Sequence, residues 1–271
     1  MEQWDFGRGL AGYVWRAQNP RANLLIAHGF AEYAERYGKS FNGLVPRLNE
    51  MGFDVYAFDM RGHGRSAGTR GVVDVRKAVE DYSAARAAIA ADGKPLFLFG
   101  HSLGGLVAAA SALERPDAIA GVILSAPALQ VTAPAHLRAI AGLVAAIAPA
   151  ARIAPPLDVD KLSHMPEEVA AYRADPMISD PRVPALTGAS VLAVSDTARQ
   201  RYTAWRSPVL VLHGLKDEAT DPEGSKRFIA AIPATDKQLE LYPEGYHELL
   251  NDLERDTVRD VILTWLGARA A

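Results

Sequence analysis

The segment from Pro95 to Glu114 restricts the fold more than any other part of the sequence. Four apolar residues at 96–99 lead into Gly100-His101-Ser102-Leu103-Gly104-Gly105, and an alanine-rich stretch with helical spacing follows. A strand that turns this sharply into a helix raises the side chain at the tip of the turn above the end of the strand. Glycine is expected on both sides of Ser102, because a Cβ there would collide as strand and helix close together. The segment therefore predicts a sheet covered by helices, with a serine hydroxyl at one edge.

Short β-type apolar runs alternate with longer helical patterns along most of the chain, which is typical of a mostly parallel sheet flanked by helices. Several runs are apolar almost throughout, as expected for strands covered on both faces. The predicted strands are 12–16 (an antiparallel edge), 24–27, 53–58, 96–99, 121–125, 209–212 and 238–241. The predicted helices are 35–51, 75–92, 103–114, 223–231 and 253–266. In the last helix, the residues expected to face the core are Val258, Val261, Ile262 and Trp265.

The alternation stops between about residues 128 and 206, where proline is frequent and short helical segments follow one another. Structureless loops of that length are uncommon in a compact domain, so we expect a helical lid, or cap, inserted at this point. The predicted organisation is a core of residues 1–127 and 207–271 with a lid of residues 128–206.

Composition excludes several classes of protein. Lys and Arg number 29 and Asp and Glu number 32, a formal net charge of −3 without a dense basic run, which argues against a nucleic-acid partner. Cysteine is absent, which excludes disulfides, thiolate metal sites and a cysteine nucleophile. The first 15 residues lack an apolar core of signal-peptide length, and no apolar run is long enough to span a membrane. A soluble cytoplasmic protein is the expectation.

A serine nucleophile needs a nearby base, and the base needs a third group that fixes its tautomer. At a strand–turn–helix site the chain order is serine, then acid, then histidine. Of the histidines after Ser102, His136 and His164 fall in the predicted lid, and His213 ends a strand, where a structural role is favoured. His247 lies on the loop between the last predicted strand and the last helix. We therefore expect His247 to be the base.

Asp217 is the favoured acid, because it comes immediately after a predicted strand end. Glu218 and Asp221 are close rivals, although Asp221 is also suited to cap the helix that follows it. Asp59 ends an earlier strand, but it is out of chain order and a loop-fixing ion pair with Arg61 is the more plausible role.

Two backbone N–H groups are expected to bind the oxyanion that develops on the substrate. One is that of Leu103, at the start of the helix after Ser102. The other is that of Phe30, on the loop after strand 24–27, where Gly29 permits close approach of the backbone. His28 is open to two roles, ordering this loop, which is favoured, or acting as a second base.

The motifs together resemble monoacylglycerol lipases and related lysophospholipase-like serine hydrolases of the α/β-hydrolase superfamily. The resemblance spans nearly the whole chain except the lid, and it rests on His28-Gly29-x-x-Glu32-x-x-x-Arg36-Tyr37, Asp59-x-Arg61-Gly62-His63-Gly64-x-Ser66, Gly100-His101-Ser102-x-Gly104-Gly105, His213-Gly214-x-x-Asp217 and His247-Glu248-x-x-Asn251. The sequence departs from the commoner family pattern at Leu103, where methionine is frequent, but the N–H group is unaffected.

The resemblance implies an α/β-hydrolase fold and a catalytic triad of Ser102, Asp217 and His247, with the two N–H donors named above. It implies hydrolysis of a carboxylic ester, most plausibly a monoacylglycerol or similar lipid ester, through an acyl-enzyme and without a cofactor. Glu32 and Arg36 either order the glycerol moiety or form a surface ion pair that fixes the loop. Arg61, His63 and Ser66 are expected to brace the loop below the site.

Other functions remain open on such a scaffold. A thioesterase or acyltransferase would use the same residues. A proline-type aminopeptidase would need acidic lid residues, for which Glu167 and Glu168 are candidates, although they are typical of helix N-terminal charges. A non-enzymatic ligand receptor that retains the triad is the alternative from a different class. No metal is expected, because Asn251 replaces the second histidine of a His-Glu-x-x-His pattern.

One stretch of the lid is nearly uncharged between residues 139 and 151. Its residues on one helical face are Leu137, Ile140, Ala141, Val144, Ile147 and Ala148. Burial of this face over the pocket and contact with a lipid aggregate are both open, and they are compatible. Only weak association with a membrane surface is predicted, since the basic clusters of an electrostatic anchor are missing.

Overall fold

The computed structural model describes residues 1–152 and 155–270, and in them eight strands form one sheet. The strands are β1 (Glu2–Gln3), β2 (Gly12–Trp15), β3 (Ala22–Ala27), β4 (Phe53–Phe58), β5 (Leu96–His101), β6 (Gly121–Ser125), β7 (Val209–Gly214) and β8 (Lys237–Tyr242). Their order across the sheet is β1-β2-β4-β3-β5-β6-β7-β8. Strands β3 to β8 run parallel, and only the pairs β1–β2 and β2–β4 are antiparallel.

Helices cover both faces of this sheet. The α-helices of the described residues, including those of the insertion between β6 and β7, are α1 (Arg36–Lys39), α2 (Leu44–Glu50), α3 (Val75–Ala90), α4 (Leu103–Glu114), α5 (Ala135–Ile147), α6 (Pro166–Ala174), α7 (Ala185–Gln200), α8 (Pro222–Ala231) and α9 (Arg255–Gly267). Successive strand side chains point to opposite faces, so Leu98 joins the cluster with α3, α4 and α8, whereas Phe97 and Phe99 join the cluster with α2 and α9. The predicted fold, a mostly parallel sheet between two helical layers, is confirmed.

Two predicted elements differ from the structure. The predicted edge strand at 12–16 is β2, but β1 pairs outside it; two residues are too few to show a strand pattern in the sequence. The predicted helix at 35–51 is broken between α1 and α2, because Phe41, Asn42 and Gly43 have positive φ angles of 54°, 53° and 65°. A left-handed backbone cannot continue an α-helix.

Helix α9 packs on the sheet through the face that its spacing predicts. Val258, Ile262 and Trp265 are buried, while Val261 is only partly covered.

Between β6 and β7 the described residues contain α5, α6 and α7 and no strand, only an isolated bridge between Pro156 and Arg182. Burial of one α5 face, one of the two interpretations that the sequence leaves open, does not occur, because no residue of this helix is buried. Leu137 and Ile140 face a cavity but stay half exposed, and Ile147 is 76% exposed. Ala148 lies beyond the end of the helix.

No helix within residues 1–152 and 155–270 combines the length and the apolar character needed to cross a lipid bilayer.

Candidate active site

Ser102 lies at a strained turn between β5 and α4. Its backbone has φ 54° and ψ −118°, a conformation that L-residues rarely adopt and that costs about 1–3 kcal/mol. The turn requires glycine at positions 100 and 104. A Cβ on Gly100 would overlap the carbonyl oxygen of Gly104, and a Cβ on Gly104 would overlap the carbonyl oxygen of Ala27. The Ser102 side chain is thus held at the carboxyl edge of the parallel strands.

His247 and Asp217 are in direct contact on the loops that follow β8 and β7. Nδ1 of His247 lies 2.7 Å from Oδ2 of Asp217, and both side chains are almost fully buried. Since an ionised carboxylate only accepts, Nδ1–H donates, which leaves Nε2 as the free base in the neutral ring.

The contact shifts both pKa values. Burial alone would lower the pKa of His247, but the charge of Asp217 and its hydrogen bond outweigh burial and raise this pKa above its ordinary value. Burial would likewise raise the pKa of Asp217, yet His247 and His213 bring it well below the usual range. Asp217 is therefore an anion at any working pH, and it favours the protonated form of His247.

Asp217 is held by further donors besides His247. Its Oδ1 accepts from the N–H groups of Ala219 and Thr220 at 2.8 and 3.0 Å, and its Oδ2 accepts from the Thr220 hydroxyl at 2.8 Å. Nε2 of His213 lies 3.2 Å from the same Oδ2. The sequence favours a structural role for His213. In the structure that role is to contact the Asp217 carboxylate and help hold it in place.

Ser102 and His247 line the same small pocket, which we call the polar pocket because its wall includes the charged residues Glu32 and Glu248. The rest of its wall is largely apolar and includes Leu157, Leu162 and Pro181. Among the described residues the Ser102 hydroxyl makes no direct hydrogen bond to the His247 ring. Such contacts often tighten only when substrate binds.

The two N–H groups expected at the oxyanion flank Ser102. Leu103 is the first residue of α4, where helix geometry leaves the N–H without a partner inside the helix. Phe30 follows Gly29, which stands so close that a Cβ on it would lie 3.3 Å from Ser102 Cβ. Within the described ranges, no backbone hydrogen bond leaves the N–H of Phe30.

Glu32 and Arg36 form a buried ion pair, not the surface pair that sequence considerations left open. They are 2% and 5% exposed, and Arg36 Nη1 lies 3.1 Å from Glu32 Oε2. Oε1 of Glu32 accepts from the N–H of Gly29 at 2.5 Å and from the Tyr37 hydroxyl at 3.0 Å. Glu32 lines the polar pocket, whereas Arg36 lies behind its wall.

Glu248 is a site residue that the sequence did not reveal. It lines the polar pocket, and its two oxygens bind Nη1 and Nη2 of Arg36 at 2.6 and 2.8 Å. Burial would raise its pKa, but Arg36 lowers it to about 2. Asn251 donates to the same carboxylate at 2.8 Å. Glu248 and Asn251 belong to the motif His247-Glu248-x-x-Asn251, but the motif alone indicated no role for Glu248.

His101 is the second such residue. Its ring centroid lies 4.8 Å from that of His247, and burial followed by the charge of His247 lowers its pKa to about 4. His101 is therefore a neutral wall of the pocket at physiological pH.

A much larger apolar cavity of about 450 Å³ opens on the other side of Ser102. Leu137, Ile140 and Ala141 of α5 line it, together with Val191 and Leu192 of α7. Its size lies within the range of pockets that hold small organic ligands.

The remaining acidic candidates lie outside the pocket. Asp59 accepts from the Tyr13 hydroxyl and from the N–H groups of Ala34 and Arg65. The expected ion pair between Asp59 and Arg61 does not form, because Arg61 binds Asp81. Glu218 is exposed and pairs with Lys161 at 3.0 Å, and Asp221 caps α8 by accepting from the N–H of Glu223.

The loop residues Ser66 and His63 are also away from the pocket. The Ser66 hydroxyl donates to the carbonyl of Asp59 at 2.6 Å, and His63 is fully buried with Nδ1 3.1 Å from the carbonyl of Arg61. His164 contacts Asp252 at 2.9 Å.

Comparison with known proteins places this arrangement in a family. The family model described as serine aminopeptidase, S33, matches residues 18–254. A monoacylglycerol lipase of Mycolicibacterium smegmatis is 35% identical over 263 residues, which cover 93% of this chain and 91% of that protein.

Solved structures agree with this match. The monoacylglycerol lipase of Paleococcus ferrophilus superposes with a TM-score of 0.85 at 34% identity, covering 95% of this chain and 99% of that one. A soluble variant of the Saccharomyces cerevisiae monoglyceride lipase, in complex with a substrate analog, gives a TM-score of 0.82 at 25% identity, with 100% and 94% coverage. The chain therefore belongs to the serine aminopeptidase S33 family of α/β-hydrolases and is a monoacylglycerol lipase-like serine ester hydrolase.

Proposed function

We propose that this chain hydrolyses a monoacylglycerol, or a similar lipid ester, through an acyl-enzyme formed on Ser102. The observation that carries the proposal is the meeting of two unlike pockets at Ser102. The large apolar cavity suits an acyl chain, and the small pocket, whose wall includes the charged residues Glu32 and Glu248, lies on the side where the alcohol would leave. A monoacylglycerol has these two parts on either side of its ester bond.

The proposed triad consists of Ser102, His247 and Asp217. Nε2 of His247 takes the hydroxyl proton as Ser102 attacks the ester carbonyl, and the N–H groups of Phe30 and Leu103 bind the oxyanion. The imidazolium then protonates the leaving alcohol, and water attacks the acyl-enzyme by the same steps. Asp217 stabilises the imidazolium without taking its proton. The short contact between His247 and Asp217 and the opposed pKa shifts support these roles.

Residues 128–206 are proposed to act as the lid over the acyl cavity. This is supported by the cavity walls, because α5 and α7 supply many of the apolar side chains that face Ser102. The outward side of α5 carries Leu143 and Ile147, which are 63% and 76% exposed. An apolar outer face on a lid favours entry of substrate from a lipid aggregate.

Glu32 and Arg36 are proposed to shape the alcohol side without binding the alcohol through free groups. Both oxygens of Glu32 already accept hydrogen bonds, and Arg36 donates to Glu32 and Glu248. Their contribution is a rigid wall for the leaving alcohol.

A hydrolysis panel tests the proposal. Rates are measured on monooleoylglycerol, p-nitrophenyl butyrate, an acyl thioester and a proline p-nitroanilide, with the wild type, Ser102→Ala and the control Thr257→Ala. Thr257 is an exposed hydroxyl residue of α9 and lines neither the polar pocket nor the apolar cavity.

We expect the wild type and Thr257→Ala to hydrolyse the two esters. Ser102→Ala should not hydrolyse them, although its unfolding temperature should equal that of the wild type. A Ser102→Ala variant that keeps most of its activity would overturn the proposed nucleophile. Preference for the thioester or the anilide would overturn the proposed substrate, and saturable ester binding with negligible turnover would favour a receptor.

A further inference from the structure

His28 is a buried histidine at the end of β3 that the proposed mechanism does not use. It is 1% exposed, and both of its ring nitrogens contact the backbone. Nε2 lies 2.9 Å from the N–H of Met60, and Nδ1 lies 2.7 Å from the carbonyl oxygen of Gly29. An N–H only donates, so Nε2 must be the acceptor, and Nδ1 carries the proton and donates to Gly29.

The acceptor of this bond is part of the proposed oxyanion hole. The carbonyl of Gly29 and the N–H of Phe30 belong to one peptide unit, which is planar. No cis peptide bond occurs in the described ranges, so the two groups point in opposite directions. A hydrogen bond that holds the Gly29 carbonyl therefore also sets the direction of the Phe30 N–H.

This peptide unit needs such restraint. Gly29 has no side chain, so its backbone rotates more freely than that of any other residue type. A rotation that turned the Gly29 carbonyl toward the substrate would place a negative dipole where negative charge develops. The preceding peptide is fixed separately, because the N–H of Gly29 donates to Glu32 Oε1 at 2.5 Å.

The contacts also exclude the alternative role of His28 as a second base. Nε2 is occupied by the Met60 N–H, and Nδ1 is protonated and bound to Gly29. Neither nitrogen is free to accept the hydroxyl proton of Ser102.

We infer that His28 is a positioning residue, which holds the Gly29–Phe30 peptide with its N–H directed at the oxyanion. The inference rests on the proposed role of the Phe30 N–H. It predicts an effect on the transition state and little effect on substrate binding, because both ring nitrogens bind backbone groups and His28 lines neither the polar pocket nor the apolar cavity.

Two substitutions at His28 separate the two hydrogen bonds. The amide nitrogen of His28→Asn comes close to the position of Nδ1, so this variant keeps a donor to Gly29. The amide of His28→Gln reaches the position of Nε2, so this variant keeps an acceptor for Met60 and loses the donor. The readouts are kcat and KM on p-nitrophenyl butyrate, the inhibition constant of a trifluoromethyl ketone, whose tetrahedral adduct carries an oxyanion, and the unfolding temperature.

Removal of an oxyanion-hole donor typically costs about 10²–10³ in turnover, so we expect kcat of His28→Gln to fall by about tenfold or more. KM should change little, and affinity for the ketone should fall by the same factor as kcat/KM. His28→Asn should keep a much larger share of both. Equal losses in the two variants, or a greater loss in His28→Asn, would overturn the inference.

The ring ¹⁵N chemical shifts of His28 in the wild type test the same assignment if a variant does not fold. We expect a protonated Nδ1 and an unprotonated Nε2, and the opposite tautomer would contradict the inference. The proposed function is tested independently by Ser102→Ala. If Ser102→Ala is inactive and the two His28 variants lose equal activity, only the role of His28 is overturned. If Ser102→Ala is active, the proposed mechanism itself is overturned.

Discussion

Arg36 and Glu248 form a two-point ion pair, with Nη1–Oε1 and Nη2–Oε2 distances of 2.6 and 2.8 Å, although they are 212 residues apart in the chain. The guanidinium also binds Glu32, so two buried carboxylates share one cation. The pair joins the loop after β3, which carries Phe30, to the loop after β8, which carries His247. It is therefore a direct connection between the proposed oxyanion hole and the proposed base.

Removing the cation should destabilise the protein strongly. Arg36→Met leaves Glu32 and Glu248 buried without their cationic partner, and loss of one member of a buried ion pair costs about 3–5 kcal/mol. The free energy of unfolding in urea measures this. The control is Arg47→Met, because Arg47 is exposed on α2 and pairs with exposed Glu50. We expect no measurable change in the control, and an equally small change in both variants would contradict the buried pair.

The pH dependence of kcat/KM should reflect the raised pKa of His247. The base acts only when neutral, so activity is lost as the pH falls through this pKa. Because Asp217 raises that pKa, the midpoint of the acid limb should lie above the ordinary histidine value of about 6.5. A profile on p-nitrophenyl butyrate checks this, and a midpoint below the ordinary value would be incompatible with the contact.

Neutralising Asp217 should move the acid limb of the pH profile of kcat/KM in the opposite direction, to lower pH. In Asp217→Asn, burial still lowers the pKa of His247 but the opposing carboxylate charge is gone, so the midpoint should shift to lower pH. The corresponding substitution in a serine protease lowers kcat by about 10⁴, and we expect a loss of that order.

Glu218→Gln is the matched control for Asp217→Asn, since it removes a neighbouring carboxylate that is exposed and paired with Lys161. Its rate and its acid limb should match those of the wild type. If Glu218→Gln lost as much activity as Asp217→Asn, the acid would be misassigned.

Charge on the outer face of α5 should impair activity on aggregated substrate only. Leu143→Glu and Ile147→Glu alter exposed residues, so rates on p-nitrophenyl butyrate below its solubility limit should not change. Rates on emulsified monooleoylglycerol should fall, because a carboxylate opposes contact with an apolar lipid surface. Leu253→Glu, at a 55% exposed position before α9, is the control. Equal rates of all three variants on the emulsion would exclude this role for α5.

The positions of Ser102, Asp217 and His247 could be predicted because each depends on local sequence. Every one of them follows a parallel strand, which is apolar for β5 and β7 and alternates polar and apolar residues for β8. The carboxyl ends of parallel strands meet at one edge of the sheet. Their proximity therefore required only the correct identification of three strands. Their catalytic roles stay predictions.

The role of Glu248 could not be predicted in the same way. Its partner Arg36 lies at the other end of the chain, and no local pattern specifies a pair at that separation. The break between α1 and α2 had a weak signal in Asn42-Gly43, residues that tolerate a left-handed backbone, but the apolar periodicity through them favoured a continuous helix. Whether α5 buries one face could not be predicted, because periodicity does not distinguish a helix packed on the core from one that lines a cavity.

The assignment of Ser102 as the nucleophile can be tested with an alkyl fluorophosphonate, which reacts covalently with activated serine hydroxyls. Intact-mass and peptide mass spectrometry of the inactivated wild type should find one phosphonyl group per chain, on the peptide that contains Ser102. The extent of labelling should equal the loss of ester hydrolysis, and Ser102→Ala should not be labelled. Complete inactivation with the label on another residue would show that Ser102 is not the nucleophile.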